Sequence, residues 1–323
     1  MANLLRWGIL GGSNFAATQM GPAIHAAKGA MLAGLATSSA EKAVRFTDFA
    51  PDCTVHDSYD ALLAAPEIDA VYIPLPNHLH VDWSLKAIAA GKHVLCEKPM
   101  TLQADQFDRL IAARDASGLV VAEAFMIVHH PQFIRARDLL ASGIIGRLRH
   151  VEGVFTYFNA DPANIRNQAA VGGGGLRDIG VYPFGAVRFV TGQEPTAVPH
   201  ARLEFDAGVD TFAQVVADFP DFSFGAVVSM RAFPRQEVVF HGEKGVMHLS
   251  CPFNANVHDQ AELHVETAGK TVMTERFPGV NQYVLQVEAF GQAAHAGAAY
   301  ACPLEFSKGT QTMLDMTFAA AKA

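Results

Sequence analysis

Short apolar runs alternate with longer amphipathic stretches over the first third of the chain. Runs with the length of buried strands lie at 7–10, 31–37, 69–75, 93–98 and 119–125. Helical periodicity fills the gaps at 14–27, 40–49, 78–90 and 102–116. Strands that alternate with helices form a parallel sheet, and right-handed crossovers place helices on both of its faces. The pattern predicts a doubly wound α/β domain, assigned to residues 1–122.

The alternation of apolar runs and helical stretches ends after about residue 123. A helix at 133–141 precedes alternating runs that predict strands at 148–158, 197–205, 211–219, 223–233, 237–242 and 261–267. Close spacing with turns between the runs is typical of a meandering, mostly antiparallel sheet. Helical patterns at 281–297 and 308–322 end the chain. Residues 123–323 are therefore predicted to form a second domain of the α+β class.

Composition and charge narrow the class of protein. Of 323 residues, half are hydrophobic and 17% are charged, which is typical of a soluble globular enzyme with two domains. The net charge of −8 repels phosphate backbones, so we expect no nucleic-acid partner. The sequence has neither the long apolar run of a membrane span nor a signal peptide, which predicts a cytoplasmic protein with no membrane partner.

The four cysteines indicate neither a metal site nor a redox motif. They are Cys53, Cys96, Cys251 and Cys302, and their spacing matches no C-x-x-C pair or set of metal ligands. We expect buried, reduced thiols and no bound metal.

The stretch LGGSNFAAT, residues 10–18, follows the first predicted strand and resembles the Rossmann fingerprint G-x-G-x-x-G/A. Gly11 and Ala16 fit the ends of the pattern, whereas Ser13 replaces the middle glycine. Amides at a helix N-terminus bind a pyrophosphate, and the Ser13 hydroxyl is a further donor. The pattern predicts a pyrophosphate loop at Gly11, Gly12, Ser13, Asn14 and Phe15. A strand-to-helix turn without a ligand is the alternative.

The end of the second strand bears on the choice of cofactor. NAD enzymes place a carboxylate there for the ribose hydroxyl, but the segment LATSSAEK has Thr37 and Ser38 at the tip and Lys42 close behind. This favours NADP over NAD. The alternative is a helix capped by Ser38 or Ser39, with Lys42 in solvent.

Two further strand ends carry polar residues at the edge where such sheets bind ligands. In PLPNHLH, Pro76 and Asn77 shape a turn and His80 opens a helix. In CEKPM, Lys98 precedes Pro99, and a lysine beside a cationic nicotinamide would have a lowered pKa suited to proton transfer. The alternatives are surface histidines and a solvated lysine.

The segment GGGGLRDIGVYPFG, residues 172–185, places Asp178 and Tyr182 four residues apart. Pro183 predicts a break near Val181, because proline fits best in the first turn of a new helix. A tyrosine can donate a proton and an aspartate can fix a substrate hydroxyl. The alternative is a capped helix with a buried tyrosine.

Taken in order, GILGGSNFA, PLPNHLH, AGKHVLCEKPM, VAEAFM, DPANIR and GGGGLRDIGVYP resemble the glucose–fructose oxidoreductase/inositol dehydrogenase (Gfo/Idh/MocA) family. The resemblance spans essentially the whole chain. It implies a Rossmann domain followed by a domain with a large open sheet. Such a sheet commonly pairs with that of another subunit, which implies a homodimer or homotetramer.

The resemblance also implies roles for individual residues. Lys98 matches the catalytic lysine, and Asp178 and Tyr182 match the active-site pair. Tyrosine at 182, where inositol dehydrogenases tend to have histidine, is similar to aldose and dimeric dihydrodiol dehydrogenases. Ser13 departs from the family pattern. The residues expected to bind the cofactor or line its site are the pyrophosphate loop with Thr37, Ser38, Lys42, Leu75, Pro76, Asn77, His80, Glu97, Lys98, Arg166 and Tyr283.

We therefore expect an enzyme that transfers a hydride between NADP, or NAD, and a sugar. Oxidation of an aldose at C1 to a lactone is favoured. Dehydrogenation of a trans-dihydrodiol, polyol or inositol is one alternative. An NAD-dependent glycosidase with transient oxidation and a non-enzymatic NAD(P)-sensing regulator are the others, both admitted by the resemblance.

Overall fold

A computed structural model describes residues 4–322, and its first sheet is parallel throughout. Its strands are β1 (Leu5–Leu10), β2 (Ala30–Ala36), β3 (Thr54–His56), β4 (Ala70–Ile73), β5 (His93–Cys96) and β6 (Val121–Glu123). The order β3-β2-β1-β4-β5-β6 reverses direction between β1 and β4. This confirms the doubly wound Rossmann prediction and places the ligand-binding crevice at the carboxyl ends of these strands.

The helices of this layer follow the predicted pattern with shifted ends. They are α1 (Gly21–Ala26), α2 (Ala40–Thr47), α3 (Tyr59–Ala64), α4 (His80–Ala89) and α5 (Gln106–Ser117). A π-helical turn, Ala16–Met20, leads into α1. Strand β3 and helix α3 were not predicted from the sequence. Strand β3 has three residues at the sheet edge and lacks a buried run.

The second sheet has eight strands. They are β7 (Leu148–Phe158), β8 (Ala197–Asp206), β9 (Val209–Asp218), β10 (Ser223–Ser229), β11 (Arg231–Gly242), β12 (Gly245–Leu249), β13 (Glu262–Thr267) and β14 (Thr271–Arg276). The order is β14-β13-β12-β11-β7-β10-β9-β8, and every neighbouring pair is antiparallel except β7 with β10. The prediction of a mostly antiparallel sheet is confirmed.

The single strand predicted at 223–233 is wrong in extent. β10 ends at Ser229, and β11 begins at Arg231 on the opposite side of β7. Because the chain crosses from one side of β7 to the other, the single apolar run forms two separate strands. The strands β12 and β14 were also missed.

The remaining helices are α6 (Pro131–Ala141), α7 (Val181–Thr191), α8 (Gln282–Ala296) and α9 (Leu304–Ala320). Helix α7 packs close to β7: a Cβ on Gly153 would lie 2.7 Å from Cβ of Pro183. Next to it, Phe184 packs edge-on against Phe224, with ring centroids 5.9 Å apart. This face of the sheet is therefore the buried one.

The chain forms two compact units. The first extends through Met126 and includes Asn281–Ser307, and the second contains Ile127–Val280 and the residues from Lys308. In the first unit, α8 places Phe290 on Trp7 of β1, with ring centroids 5.0 Å apart. The predicted division at 122/123 differs from these units mainly because Asn281–Ser307 packs with the nucleotide-binding sheet. That division stays a prediction about folding domains.

All four cysteine side chains are buried, and within residues 4–322 none forms a disulfide. No helix in the described part of the chain has the length and apolar character to cross a bilayer.

Candidate active site

The turn after β1 has the geometry of a phosphate-binding loop. Gly11 has φ +104°, a conformation that favours glycine, and a Cβ there would also lie 3.1 Å from the side chain of Leu75. Helical structure starts at Asn14, and the Ser13 hydroxyl oxygen accepts a hydrogen bond from the Ala16 amide at 3.1 Å. Ser13 therefore caps the helix, and its O–H hydrogen is still able to donate to a ligand.

The residues at the end of β2 suit a dinucleotide that carries an additional phosphate. Thr37, Ser38 and Ser39 follow the strand, and no carboxylate stands among them. The Ser39 hydroxyl accepts from the Lys42 amide and caps α2, as the alternative interpretation of this segment proposed. A Cβ on Gly12 would lie 3.1 Å from Cβ of Lys42, so the Lys42 side chain starts beside the phosphate loop.

A second basic residue, Arg45, reaches the same loop. Its guanidinium donates to the Asn14 side-chain carbonyl at 2.9 Å. Arg45, which lies one helical turn after Lys42 on α2, was not predicted from the sequence. The glycine turn, the capped helix start and the two cations fit the pyrophosphate and 2′-phosphate of NADP.

His80 is wholly buried at the start of α4. Its Nδ1 lies 2.8 Å from the Pro99 carbonyl oxygen, and its Nε2 lies 2.7 Å from the Leu75 carbonyl oxygen. Burial lowers the pKa of His80 to about 4, although the two carbonyl contacts act in the opposite direction. The predicted cofactor contact of His80 stays a prediction, since the structure places both ring nitrogens against backbone atoms. Pro76 and Asn77, in the turn just before, are half-buried.

Lys98 lies in a turn after β5, and the residues on both sides of it are fixed. Tyr72 of β4 donates its hydroxyl to Glu97 Oε1 at 2.6 Å. The Met100 amide donates to Glu123 Oε1 at 2.8 Å. Lys98 itself is half-buried, and the Lys98–Pro99 peptide is cis. Lys98 thus lies at the carboxyl edge of the Rossmann sheet.

The electrostatics of this turn follow from burial. Burial and the Glu97 carboxylate raise the pKa of Tyr72 well above its usual value, so the phenol is a permanent donor. Burial also raises the pKa of Glu123, while the Met100 amide and the nearby Lys98 oppose that rise. Both side chains therefore serve to hold the turn.

Tyr283 opens α8 and belongs to the same unit as the phosphate loop. Its buried ring packs edge-on against Phe15, with centroids 5.6 Å apart. The Asn281 side chain caps α8 by accepting from the Tyr283 and Val284 amides. The late helix therefore supports the pyrophosphate loop through an aromatic contact.

In the second unit, Asp178 is the centre of a polar cluster. Its Oδ2 accepts from the Tyr157 hydroxyl at 2.7 Å and from Nε of Arg166 at 2.8 Å. The Asp178 side chain is 13% exposed. Burial, and next the Asp178 carboxylate, raise the pKa of Tyr157, which keeps its phenol protonated. Arg166, predicted to line the site, lies beside the predicted Asp178.

The predicted break near Val181 is wrong. A π-helical turn, Leu176–Gly180, continues directly into α7, and Gly180 and Val181 both have right-handed helical backbones. A π-turn relaxes the regular hydrogen-bond ladder, which lets Pro183 follow without a break. Asp178 and Tyr182 therefore lie on one continuous helical segment. The buried Tyr182 ring packs against Phe155 and Phe253, with centroids 5.5 and 5.6 Å away.

Three of the polar partners that hold these residues and their neighbours were not predicted from the sequence. Tyr72, Glu123 and Tyr157 each lie inside a strand run whose pattern signals burial alone. Their contacts join residues at least 21 positions apart. Periodicity carries no signal for such pairs.

Comparison with known proteins agrees with this geometry. The family model described as "Oxidoreductase family, NAD-binding Rossmann fold" matches residues 5–125. The model described as "GFO/IDH/MocA C-terminal domain" matches residues 133–248. The chain belongs to the Gfo/Idh/MocA oxidoreductase family. It is thus an NAD(P)-dependent oxidoreductase with a Rossmann cofactor domain, and the resemblance derived from its motifs is confirmed.

Members of the family align over nearly all of the chain. An uncharacterized oxidoreductase of Rhizobium meliloti is 39% identical over 97% of this chain and 96% of its own length. The D-xylose 1-dehydrogenase (NADP(+)) 2 of Haloferax volcanii is 32% identical over 98% of both. The crystal structure of KijD10, a 3-ketoreductase from Actinomadura kijaniata in complex with NADP and TDP-benzene, has a TM-score of 0.89 at 30% identity over 98% of both chains.

Variants of KijD10 have also been solved. Its solved structures include proteins in which one lysine or one tyrosine was replaced. Those two positions are separated by the same number of residues as Lys98 and Tyr182.

Proposed function

We propose that the chain is an NADP-preferring dehydrogenase that oxidises the C1 hydroxyl of a cyclic aldose to a lactone. The observation that carries this proposal is the Asp178 cluster. Arg166 and Tyr157 hold the carboxylate beside the Tyr182 helix, with part of its surface exposed. An ionised, oriented carboxylate is an acceptor suited to a sugar hydroxyl.

Each of the site residues has a separate role in the proposed oxidation. NADP supplies the hydride acceptor when it is bound. Tyr182 acts as the base in its phenolate form and becomes a neutral phenol when it takes the proton of the C1 hydroxyl. Lys98 supplies positive charge during the transfer, and Asp178 orients a neighbouring hydroxyl. Removal of Lys98 or Tyr182 therefore abolishes turnover and spares NADP binding by the phosphate loop.

The preference for NADP rests on the residues around the end of β2. Lys42 and Arg45 adjoin the phosphate loop, and none of the three residues directly after β2 is a carboxylate that could accept from a ribose hydroxyl. The Haloferax volcanii dehydrogenase carries NADP(+) in its name, which supports the same choice.

Charge balance favours an uncharged sugar as the substrate. The two arginines whose charge acts on Tyr157 are Arg166 and Arg231. Arg166 pairs with Asp178 at 2.8 Å, and Arg231 pairs with Asp206 at 3.2 Å. A pyrophosphate would have to displace these carboxylates, whereas a neutral aldose leaves both pairs intact.

A second candidate is reduction of a keto group on a nucleotide-linked sugar. The similarity to KijD10, a 3-ketoreductase, favours it, as does the shared spacing of a lysine and a tyrosine. In that direction Tyr182 would donate its proton to the carbonyl oxygen as hydride arrives.

A substrate panel tests these proposals. Purified protein is assayed with aldoses, polyols, inositol and trans-dihydrodiols against NADP and NAD, and with keto sugars and their nucleotide-linked forms against the reduced cofactors. Net reduction of NADP by an aldose is the expected result. Oxidation of NADPH by a nucleotide-linked keto sugar alone would replace the first proposal with the second.

Two other outcomes of the panel would overturn both proposals. Release of sugar from a glycoside without accumulation of reduced cofactor would show an NAD-dependent glycosidase. Tight NADP binding with no turnover on any substrate would show a cofactor-sensing regulator.

We also propose that the protein is a cytoplasmic homodimer or homotetramer assembled through its eight-stranded sheet. Strand β9 supports this arrangement, because its residues alternate between buried and exposed and so leave one face of the sheet for another subunit. Light scattering after size-exclusion chromatography tests it, and a monomer at micromolar concentration would contradict it.

A further inference from the structure

The turn that carries Lys98 is held at three points by three different elements. Tyr72 of β4 bonds Glu97, His80 of α4 contacts the Pro99 carbonyl, and Glu123 of β6 accepts from the Met100 amide. The residue before Lys98 and the two after it therefore each have a buried or half-buried polar partner. The backbone around the lysine is fixed independently of any ligand.

His80 contacts the Lys98 turn and a second segment at the same edge of the sheet. Its second nitrogen lies 2.7 Å from the carbonyl oxygen of Leu75, the first residue of the segment 75–77. Both of its partners are carbonyl oxygens, which only accept hydrogen bonds, so the ring acts as the donor. A neutral imidazole has one N–H and donates to one of the two carbonyls, depending on the tautomer. A protonated imidazole donates to both.

The two segments follow neighbouring strands of the parallel sheet. Segment 75–77 follows β4, and the Lys98 turn follows β5. Both were predicted from sequence to contact the cofactor. A bridge between them sets the position of the lysine relative to the residues expected to hold the nicotinamide end of NADP.

We propose that His80 is a positioning residue that fixes the Lys98 turn relative to segment 75–77, with Glu123 as a second anchor of that turn. This inference rests on the proposed role of Lys98 in catalysis. A misplacement of about 1 Å in a catalytic group costs up to about 100-fold in rate, which is the effect such an anchor prevents.

Hydrogen–deuterium exchange of the whole protein, without substrate, tests the bridge directly. The variants are His80→Leu, which removes both ring nitrogens, and His80→Gln, whose amide can still donate. His78→Leu is the control, since His78 is exposed two residues earlier. We expect His80→Leu to speed exchange in both 75–79 and 97–101 by about tenfold while the rest of the first unit is unchanged.

The kinetic readout separates positioning from simple support of the fold. His80→Leu should lower kcat about 10- to 100-fold, a larger factor than any loss of NADP affinity, and His80→Gln should recover most of the loss. Faster exchange confined to α4, or spread evenly over the unit, would overturn the proposal. So would an equal effect of His78→Leu.

Variants of Glu123 test the proposal independently if His80→Leu does not fold. Glu123→Gln keeps an acceptor for the Met100 amide, whereas Glu123→Ala removes it. Faster exchange at 97–101 in the alanine variant alone supports the proposal, and equal exchange in the two variants contradicts it. Because exchange is measured without substrate, a wrong assignment of the substrate leaves this result unaffected.

Discussion

Ser13 shows what a single residue changes in the phosphate loop. By sequence it is a departure from the glycine pattern, but the structure gives it a definite role as the cap of the first helix. A serine cap stabilises a helix by about 1 kcal/mol relative to alanine, and glycine costs only a few tenths. The substitution of the usual glycine therefore adds helix stability at the loop.

Two variants test this role of Ser13. Ser13→Ala should lower the free energy of unfolding by about 1 kcal/mol and weaken NADP binding, because the cap that orders the start of the helix is lost. Ser13→Gly should bind NADP with nearly unchanged affinity. Urea unfolding and titration calorimetry measure the two effects, and a large loss of affinity in Ser13→Gly would show that the hydroxyl itself binds phosphate.

Tyr157 illustrates which site residues the sequence hides. Lys98, Asp178 and Tyr182 stand out because each lies in a recognisable motif at a strand or helix end. Tyr157 lies inside a strand run, and only the folded chain brings its hydroxyl to Asp178. A partner created by tertiary structure leaves no local pattern in the sequence.

Removal of the Tyr157 hydroxyl should leave the Asp178 carboxylate less firmly oriented, because it loses one of its two hydrogen-bond donors described above. A hydrogen bond to a charged group contributes about 1.5–3 kcal/mol, so Tyr157→Phe should lower kcat/KM about tenfold or more. Steady-state kinetics on the preferred sugar measure the loss, with the melting temperature as a check on folding. An unchanged kcat/KM would remove Tyr157 from the site.

At the scale of elements, the helical segment with Asp178 and Tyr182 depends on close packing and on a cap. The Leu176 amide donates to Asp210 of β9 at 2.6 Å, which caps the start of the π-turn. Gly153 of β7 leaves room for Pro183. Apolar periodicity predicted most strands and helices, but not the π-turn or the crossing from β10 to β11, since both depend on neighbours distant in sequence.

A methyl group at Gly153 should displace this helix. The added Cβ would lie 2.7 Å from Pro183, and overpacking of this kind costs about 1–3 kcal/mol. We expect Gly153→Ala to lower both the free energy of unfolding and kcat. Gly225→Ala is the matched control on the same sheet, because its Cβ would make an ordinary 3.5 Å contact with His150. Equal effects of the two variants would contradict this account.

At the scale of the whole molecule, buried histidines make stability depend on pH. Burial lowers the pKa of both His129 and His130 to about 4. The unfolded chain takes up these protons near pH 6.5, whereas the folded chain does not until about pH 4. The folded state therefore loses stability as the pH falls through this window.

Each such histidine should contribute a slope of up to about 1.4 kcal/mol per pH unit between those values. Urea unfolding at several pH values measures the slope. His129→Gln should reduce the slope by the equivalent of up to one proton taken up on unfolding. An unfolding free energy that is flat from pH 6.5 to 4 would contradict the burial of these side chains in solution.

The central claim is that hydride leaves C1 of an aldose and reaches the nicotinamide, with Lys98 and Tyr182 managing the proton. An aldose deuterated at C1 tests it most directly, with the reduced cofactor analysed by mass spectrometry. We predict one deuterium in the reduced NADP and a lower kcat/KM for the labelled sugar than for the unlabelled one. Lys98→Met and Tyr182→Phe should form no reduced cofactor from either sugar. Reduced cofactor without deuterium, or unchanged turnover in either variant, would contradict the claim.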